Sequence, residues 1–207
     1  GETGRIGSTG RREMGHGFLA EKALIPVIPN KEVFPYTIRL VSESVASNGS
    51  TSQASICAST IALMDGGVPI TRPVAGVSVG LIMDENNESN YKLLTDIQGP
   101  EDHFGDMDFK VAGTTEGVTA IQLDIKVGGV PVAVLKDALG KARLGRMTIL
   151  AAIEKEISSP RSDISANAPK IATIKIAPEK IGMVIGSGGK TVNMIREKSG
   201  AEISIED

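Results

Sequence analysis

An acidic segment near the middle of the chain carries the residue types best suited to metal or phosphate chemistry. Residues 99–110 hold four carboxylates, one of the chain's two histidines and a closing lysine within twelve positions. Carboxylates this close repel one another unless a cation or a positively charged substrate group lies among them. Their oxygens are the ligands that magnesium takes, usually together with substrate phosphates. The alternative interpretation is a solvated acidic loop.

The backbone of this acidic segment is expected to be irregular. Gly99, Pro100 and Gly105 disfavour a regular helix, so the residues predict a shaped loop. The loop is expected to enter a strand at residues 108–111.

A run of three hydroxyl side chains, Ser50, Thr51 and Ser52, lies between an Asn-Gly turn and an apolar stretch. The apolar stretch predicts a helix over residues 53–64. Free backbone N–H groups and the positive end of the helix dipole make such an N-terminus a ready anion site. Plain N-capping needs only one hydroxyl. Capping and phosphate binding therefore both stay open.

Two adjacent arginines, Arg11 and Arg12, precede His16 in a glycine-containing stretch. Guanidinium groups suit bidentate recognition of phosphate, and a nearby histidine can donate a hydrogen bond or shuttle a proton. The alternative is a solvated basic turn.

Near the end of the chain, the run Gly186-Ser187-Gly188-Gly189-Lys190 resembles the loop with which KH domains clamp nucleic-acid backbone. Its spacing does not fit a Walker A loop. The surrounding pattern predicts a strand over 171–176, a helix from 178, a second helix to 198 and a final strand over 202–205.

The remaining periodicity predicts alternating strands and helices. Strands are expected over 36–45, 77–84, 91–95 and 121–127, and a long helix over 136–157. Hairpins among the strands favour a mixed α/β sheet over a doubly wound parallel one. The apolar stripe of the long helix is predicted to consist of Leu139, Ala142, Leu150, Ile153 and Ile157.

The composition excludes several classes of protein. The net charge of −3 argues against indiscriminate polyanion binding, although residues 170–198 are locally basic. A single cysteine, Cys57, excludes an internal disulfide and fits a reducing compartment. No apolar run reaches the length of a membrane span, and the first residues lack the basic-then-apolar pattern of a signal peptide. The expected location is the cytoplasm. Because the chain begins at glycine within loop-like sequence, we expect a piece of something longer.

Several stretches, in matching order, resemble the bacterial polynucleotide phosphorylases. They are Gly1-Glu2-Thr3-Gly4, Arg11-Arg12-Glu13-Met14-Gly15-His16-Gly17, Phe34-Pro35-Tyr36-Thr37, Ser47-Asn48-Gly49, Ala62-Leu63-Met64-Asp65, Glu101-Asp102-His103 and the run from Gly105 to Gly113. The resemblance implies an RNase PH-like βαβα core over 1–157, the second of the family's two, with its opening part absent. A linker over 158–169 and an incomplete KH-type domain over 170–207 follow.

The resemblance also implies the chemistry, which is metal-dependent phosphorolysis of single-stranded RNA from its 3′ end. Inorganic phosphate is the attacking substrate, and nucleoside diphosphates are released. By their positions in the motifs, Asp102 and Asp108 match the carboxylates that hold Mg²⁺ or Mn²⁺. Lys110 matches a charge-stabilising or proton-transfer group. Ser50, Thr51 and Ser52 match the family's phosphate-binding hydroxyls, which are usually three serines. Arg11, Arg12 and His16 match positions that contact RNA or phosphate.

Two other functions stay open on the residues alone. One is a non-catalytic RNA-binding or ring-scaffold subunit that has lost its site, and the other is a hydrolytic two-metal nuclease. Joint presence of the metal and phosphate ligands favours the phosphorolytic enzyme. The resemblance further implies a homotrimer and a helicase or endonuclease partner in a degradation complex. It also implies that these residues alone, without the first core, are inactive.

Overall fold

The computed structural model describes residues 9–205, and it divides the chain into two compact units, Gly1–Ala168 and Pro169–Asp207. The Gly1-Glu2-Thr3-Gly4 run lies outside the described residues. No helix among those described is long and apolar enough to cross a membrane.

The first unit is built on a four-stranded antiparallel sheet in the order β2-β1-β3-β4. The strands are β1 (Ala75–Asp84), β2 (Asn87–Thr95), β3 (Met107–Gly113) and β4 (Val118–Ile125). Its helices are α1 (Arg11–Leu24), α2 (Thr51–Asp65), α3 (Gly99–Phe104) and α4 (Val132–Glu156), and a short 3-10 turn, Ile25–Val27, follows α1. The predicted mixture of helices with hairpin-linked strands is therefore confirmed.

The two faces of the sheet differ because side chains alternate along each strand. One face presents Val77, Val79, Leu81, Phe109 and Val111, which pack against α4 in one apolar cluster. The other face carries an apolar cluster at one end. Ala112 and Ala120 there join a second cluster formed largely by α1 and α2. The remainder of that face carries Ser78, Asp108 and Lys110, and the aliphatic side chains of Leu94 and Ile97 pack around Gly80.

The long helix α4 closes the apolar face. Its buried stripe includes Ala142, Leu150 and Ile153, as the sequence predicts. Leu139 does not belong to it, because that side chain is 38% exposed. Gly145 allows the helix to approach the sheet closely, since a Cβ there would lie 3.3 Å from Val77.

Two expectations for the N-terminal part were wrong. Arg11 and Arg12 begin a 14-residue helix instead of lying in a turn. Leu19, Ala23 and Leu24 are its buried face, and the glycines that obscured this periodicity point where no neighbour approaches within 4 Å. Residues 36–45 form no strand, because no ladder within the described chain pairs with them.

The second unit contains two helices, α5 (Ile181–Ile185) and α6 (Lys190–Ser199), with short 3-10 turns at Pro178–Lys180 and Ser187–Gly189. The predicted strands over 171–176 and 202–205 were wrong for the described residues. Both segments are irregular, since neither has the ladder of hydrogen bonds that defines a strand.

The α4 stripe yields a test of the packing. Leu150 is 1% exposed and Leu144 is 70% exposed on the same helix. We expect Leu150→Ala to lower the free energy of unfolding by about 2–5 kcal/mol. Leu144→Ala should change it by less than about 0.5 kcal/mol. Urea denaturation followed by circular dichroism measures both, and equal effects would contradict the assignment of this face.

Candidate active site

A buried ion pair occupies the centre of the sheet's polar face. Lys110 Nζ lies 2.9 Å from Asp108 Oδ2, and both residues project from β3. They are 8% and 7% exposed, so the pair is largely removed from water. The second carboxylate oxygen, Asp108 Oδ1, is buried without a hydrogen-bond partner. An unpaired buried oxygen of this kind costs stability unless another donor or a cation reaches it.

The half-buried His16 of α1 lies within electrostatic reach of this pair. Burial lowers the pKa of its imidazole below the ordinary 6.5, and the positive charges of Lys110 and Arg12 lower it further. Glu13 and Asp108 act in the opposite direction but do not outweigh these causes. At neutral pH His16 is therefore an uncharged imidazole, which can both donate and accept a hydrogen bond.

The acidic segment is a helix for its first half, not the loop that the sequence predicted. Pro100 lies in the first turn of α3, where its missing N–H costs nothing. Glu101 Oε2 accepts a hydrogen bond from the Gln98 N–H at 2.8 Å and caps the helix. Beyond it, Asp106 Oδ2 accepts from the Met83 N–H at 2.7 Å. These two acids shape the segment.

Asp102 is held at the more exposed edge of the site. Its Oδ1 lies 3.2 Å from Nζ of Lys126, and the two side chains are 35% and 37% exposed. The same ammonium also donates to the Asp102 carbonyl. Each predicted metal carboxylate is thus paired with a lysine, one buried and one exposed.

The hydroxyl run begins α2 in an unusual way. Ser50 is the N-cap and has left-handed backbone angles, φ 42° and ψ 45°, a conformation that is uncommon for residues other than glycine. Its side chain makes no capping hydrogen bond. The hydroxyl oxygens of Ser50 and Ser52 are buried without partners. Simple capping therefore does not explain these side chains.

A close contact joins the hydroxyl turn to the acidic helix. Gly49 has φ +115°, and the Ile97 carbonyl occupies the space where a Cβ would stand. Ile97 and Gln98 lead directly into α3, and the Ile97 side chain packs over Gly80, the residue opposite Asp108. The structure therefore brings Ser50–Ser52 beside the chain that carries Asp102.

The carboxylates fit a hard divalent cation of the kind that keeps several waters. Asp108 offers an unpartnered oxygen, and Asp102 is accessible to solvent. No group of three or more acidic, histidine or cysteine side chains suited to a metal occurs among residues 9–205. Magnesium bound by one or two carboxylates plus substrate phosphates does not need such a group.

Sequence reasoning missed Lys126, Gln53 and Ser78. Lys126 follows β4 on the polar alternation that also carries Gln122 and Asp124, the residues opposite Lys110 and Asp108. That alternation could have indicated it. Gln53 and Ser78 are fully buried polar residues with unpartnered side-chain atoms. Neither belongs to a motif, so only the structure identifies them.

The glycine run of the second unit lies between α5 and α6, as predicted. Gly186, Gly188 and Gly189 all have positive φ, at 73°, 61° and 79°. Glycine adopts this region without the steric cost that a side chain would bring. Lys190 begins α6 directly after the turn.

Comparisons with known proteins identify domain families and relatives that the chain resembles. Residues 1–69 match the model of the 3′ exoribonuclease family, domain 1, and residues 171–207 match the KH domain model. Polyribonucleotide nucleotidyltransferases from Rubrobacter xylanophilus and Streptococcus mutans are 56% and 58% identical over all 207 residues. Over its whole length the chain therefore resembles a stretch of the polyribonucleotide nucleotidyltransferases. It spans 30% and 28% of the length of these two relatives.

The fold of the chain also resembles a solved structure. The crystal structure of rice (Oryza sativa) Rrp46 matches with a TM-score of 0.57 at 11% identity, over 73% of this chain and 68% of that one. At this identity the likeness concerns the fold, which is the RNase PH-like core that the sequence predicted.

The Gly49 contact generates a stability prediction. We expect Gly49→Ala to lower the free energy of unfolding by about 1–3 kcal/mol, because it forces a side chain into left-handed backbone against a carbonyl. Gly117 is the matched control, since a Cβ there meets nothing within 4 Å. Thermal denaturation compares the two variants. An undiminished melting temperature for Gly49→Ala would show that the turn relaxes freely.

The pKa of His16 is open to direct measurement. We expect its ring signal to titrate below pH 6.5 in NMR spectra, and Lys110→Met to raise the midpoint by removing a positive charge. Since the folded state binds fewer protons at His16 than the unfolded state, His16 destabilises the fold progressively as the pH falls below 6.5. His16→Gln identifies the signal and should remove this part of the pH dependence. A downward shift in Lys110→Met would contradict the electrostatic assignment.

Proposed function

We propose that this chain carries the catalytic site of a phosphorolytic 3′-to-5′ exoribonuclease that releases nucleoside diphosphates during mRNA turnover in the cytoplasm. The observation that carries the proposal is the contact between the Gly49 turn and the lead-in to α3. It brings unpartnered hydroxyls at a helix N-terminus next to the carboxylate side of the site. A phosphate-binding element and a cation-binding element in contact are what phosphorolysis needs.

The hydroxyl turn is proposed to hold the attacking inorganic phosphate. Ser50 and Ser52 have buried oxygens that lack partners, and Thr51 opens the helix with them. Backbone N–H groups of the first turn add donors, and the helix dipole favours the negative charge. A phosphate oxygen then attacks the last phosphodiester phosphorus of RNA. The bond to the 3′ oxygen breaks, and that oxygen takes the proton that the attacking hydrogen phosphate loses.

Lys110 and His16 are proposed to manage charge and protons in this reaction. Two phosphates approach each other, so positioning and neutralisation of charge contribute most of the catalysis. The Lys110 ammonium provides a fixed positive charge in a buried site. The neutral imidazole of His16 provides an N–H hydrogen bond near the departing 3′ oxygen.

Asp102 and Asp108 are the residues proposed to hold Mg²⁺, with Mn²⁺ as an alternative. When bound, such a cation polarises the scissile phosphate and offsets its developing charge. Asp108 contributes from the buried strand β3 and Asp102 from the more exposed helix α3. The choice of carboxylates as ligands agrees with the preference of hard cations for oxygen.

RNA is proposed to bind at two places on the chain. Arg11 and Arg12 are exposed in the first turn of α1, where positive charge opposes the helix dipole. A nucleic-acid phosphate beside them would offset that unfavourable position. The second place is the turn formed by Gly186, Ser187, Gly188, Gly189 and Lys190, within a KH domain proposed to cover 170–207 after a linker at 158–169. The homotrimer and a helicase or endonuclease partner stay predictions.

A phosphate-dependence experiment tests the proposed reaction. A full-length enzyme carrying this chain is incubated with single-stranded RNA and Mg²⁺, with or without inorganic phosphate. We expect nucleoside diphosphates only when phosphate is present. Release of nucleoside monophosphates in plain buffer would indicate a hydrolytic nuclease, and RNA binding without any products would indicate a scaffold subunit.

Point variants connect that reaction to the site. Ser52→Ala should raise the KM for phosphate about tenfold, because it removes a hydrogen bond to a charged ligand. Ser59→Ala, a buried hydroxyl further along α2, is the matched control and should leave that KM unchanged. Asp108→Asn should abolish turnover. Equal phosphate KM values in Ser52→Ala and Ser59→Ala would contradict the assignment of the hydroxyl turn.

A further inference from the structure

Two buried polar side chains near Lys110 have no role in the proposed reaction. Ser78 is 0% exposed and Gln53 is 2% exposed. The Ser78 hydroxyl and both polar atoms of the Gln53 carboxamide lack hydrogen-bond partners. Leaving such groups unpaired inside a protein is unfavourable. The present positions of the side chains therefore do not explain why Ser78 and Gln53 are buried there.

The strand register sets Ser78 directly beside Lys110. Ser78 on β1 is the pairing partner of Lys110 on β3, so both side chains lie on the same face. Side chains paired in this way have Cβ atoms about 4.5–5.5 Å apart, well within the reach of a lysine. The Ser78 oxygen is thus a hydrogen-bond acceptor next to the stem of Lys110.

Gln53 lies beside Ser78 on the same face. Its Oε1 occupies the space where a Cβ of Gly76 would stand, and Gly76 is two residues before Ser78 on β1. Alternation places Gly76, Ser78 and Gly80 on one face. From Gly76 towards Gly80, this face therefore carries first the carboxamide of Gln53, then the hydroxyl of Ser78, and then Asp108, which is opposite Gly80.

Lys110 donates to Asp108 in the present arrangement, and that arrangement competes with a divalent cation. An ammonium and a divalent cation on one buried carboxylate repel each other strongly, because little water screens them. Lys110 must therefore leave Asp108 or weaken cation binding there. A buried ammonium that leaves one acceptor needs another.

We propose that Ser78 and Gln53 form a second seat for the Lys110 ammonium, which Lys110 takes when Asp108 binds a divalent cation. Ser78 Oγ and Gln53 Oε1 are then its acceptors. Both are neutral, so they accept hydrogen bonds from the ammonium without competing with the carboxylates for the cation. Ser78 and Gln53 are positioning residues in this proposal, which rests on the proposed function through the cation at Asp108.

Binding of Mn²⁺ to the full-length enzyme, measured by isothermal titration calorimetry without RNA or phosphate, tests the second seat. We expect Ser78→Ala to weaken Mn²⁺ binding about tenfold, because Lys110 loses an acceptor away from Asp108. Lys110→Met should tighten binding by removing the competitor. In the Lys110→Met background, Ser78→Ala should change the affinity by less than about twofold.

The matched control is Thr119→Val. Thr119 is another buried hydroxyl without a partner, but it lies at the other end of β4 from the site, three residues before Gln122, the residue opposite Lys110. It should leave Mn²⁺ binding unchanged. Gln53→Met should weaken binding in the same Lys110-dependent way as Ser78→Ala.

Three outcomes would overturn the inference. An unchanged affinity in Ser78→Ala rejects the second seat alone. A loss that persists in the Lys110→Met background shows that Ser78 acts by packing, not through the lysine. No Mn²⁺ binding by the unmodified enzyme rejects the metal assignment of the proposed function as well.

Discussion

The buried ion pair between Asp108 and Lys110 is the interaction on which the candidate site depends. Removing two charges from water is costly, and their mutual attraction offsets that cost only when the geometry is fixed. β3 fixes it, because both residues lie on one face of a strand that is hydrogen-bonded on both sides. Every residue of β3 is buried. The site is therefore built into the most constrained strand of the sheet.

The sheet can support such a pair because its two faces carry different kinds of side chain. α4 covers one face with aliphatic packing, which provides much of the stability of this unit. The opposite face carries an apolar cluster where α1 and α2 meet Ala112 and Ala120. Further along that face lie the charged and hydroxyl side chains, with Ile97 packed over Gly80. A strand buried on both faces normally reads as continuously apolar, so Asp108 and Lys110 within β3 are the local departure that signals function.

The sequence was sufficient where local pattern and tertiary structure agree. The hairpin of β1 and β2, the strand β3 and the helix α2 follow from alternation, helical periodicity and turn residues. The predicted site residues Asp108 and Lys110 fall on one strand face by alternation alone. Contact between the hydroxyl turn and α3 was beyond such reasoning, because it depends on Gly49 meeting Ile97, a residue far along the chain.

Expectations failed where pairing or propensity was decided elsewhere in the fold. Residues 36–45 have the composition of a strand, but both edges of the sheet belong to other segments. α3 forms despite two glycines and a proline, because the proline lies in its first turn and Glu101 caps it. α1 was missed because its glycines and arginines conceal a narrow buried face. Lys126 was overlooked although its alternation with Gln122 and Asp124 was visible.

The two lysine–carboxylate pairs differ in their exposure to solvent, which bears on the cation proposed to bind there. The Asp102–Lys126 pair is about one-third exposed, and exposed pairs contribute little to stability. On the proposed metal assignment, exchanging Lys126 for a hydrated cation would cost little at Asp102. Displacing Lys110 from Asp108 would be harder, because the ammonium stays buried and needs new acceptors. Asp108 would therefore set how firmly a cation is held.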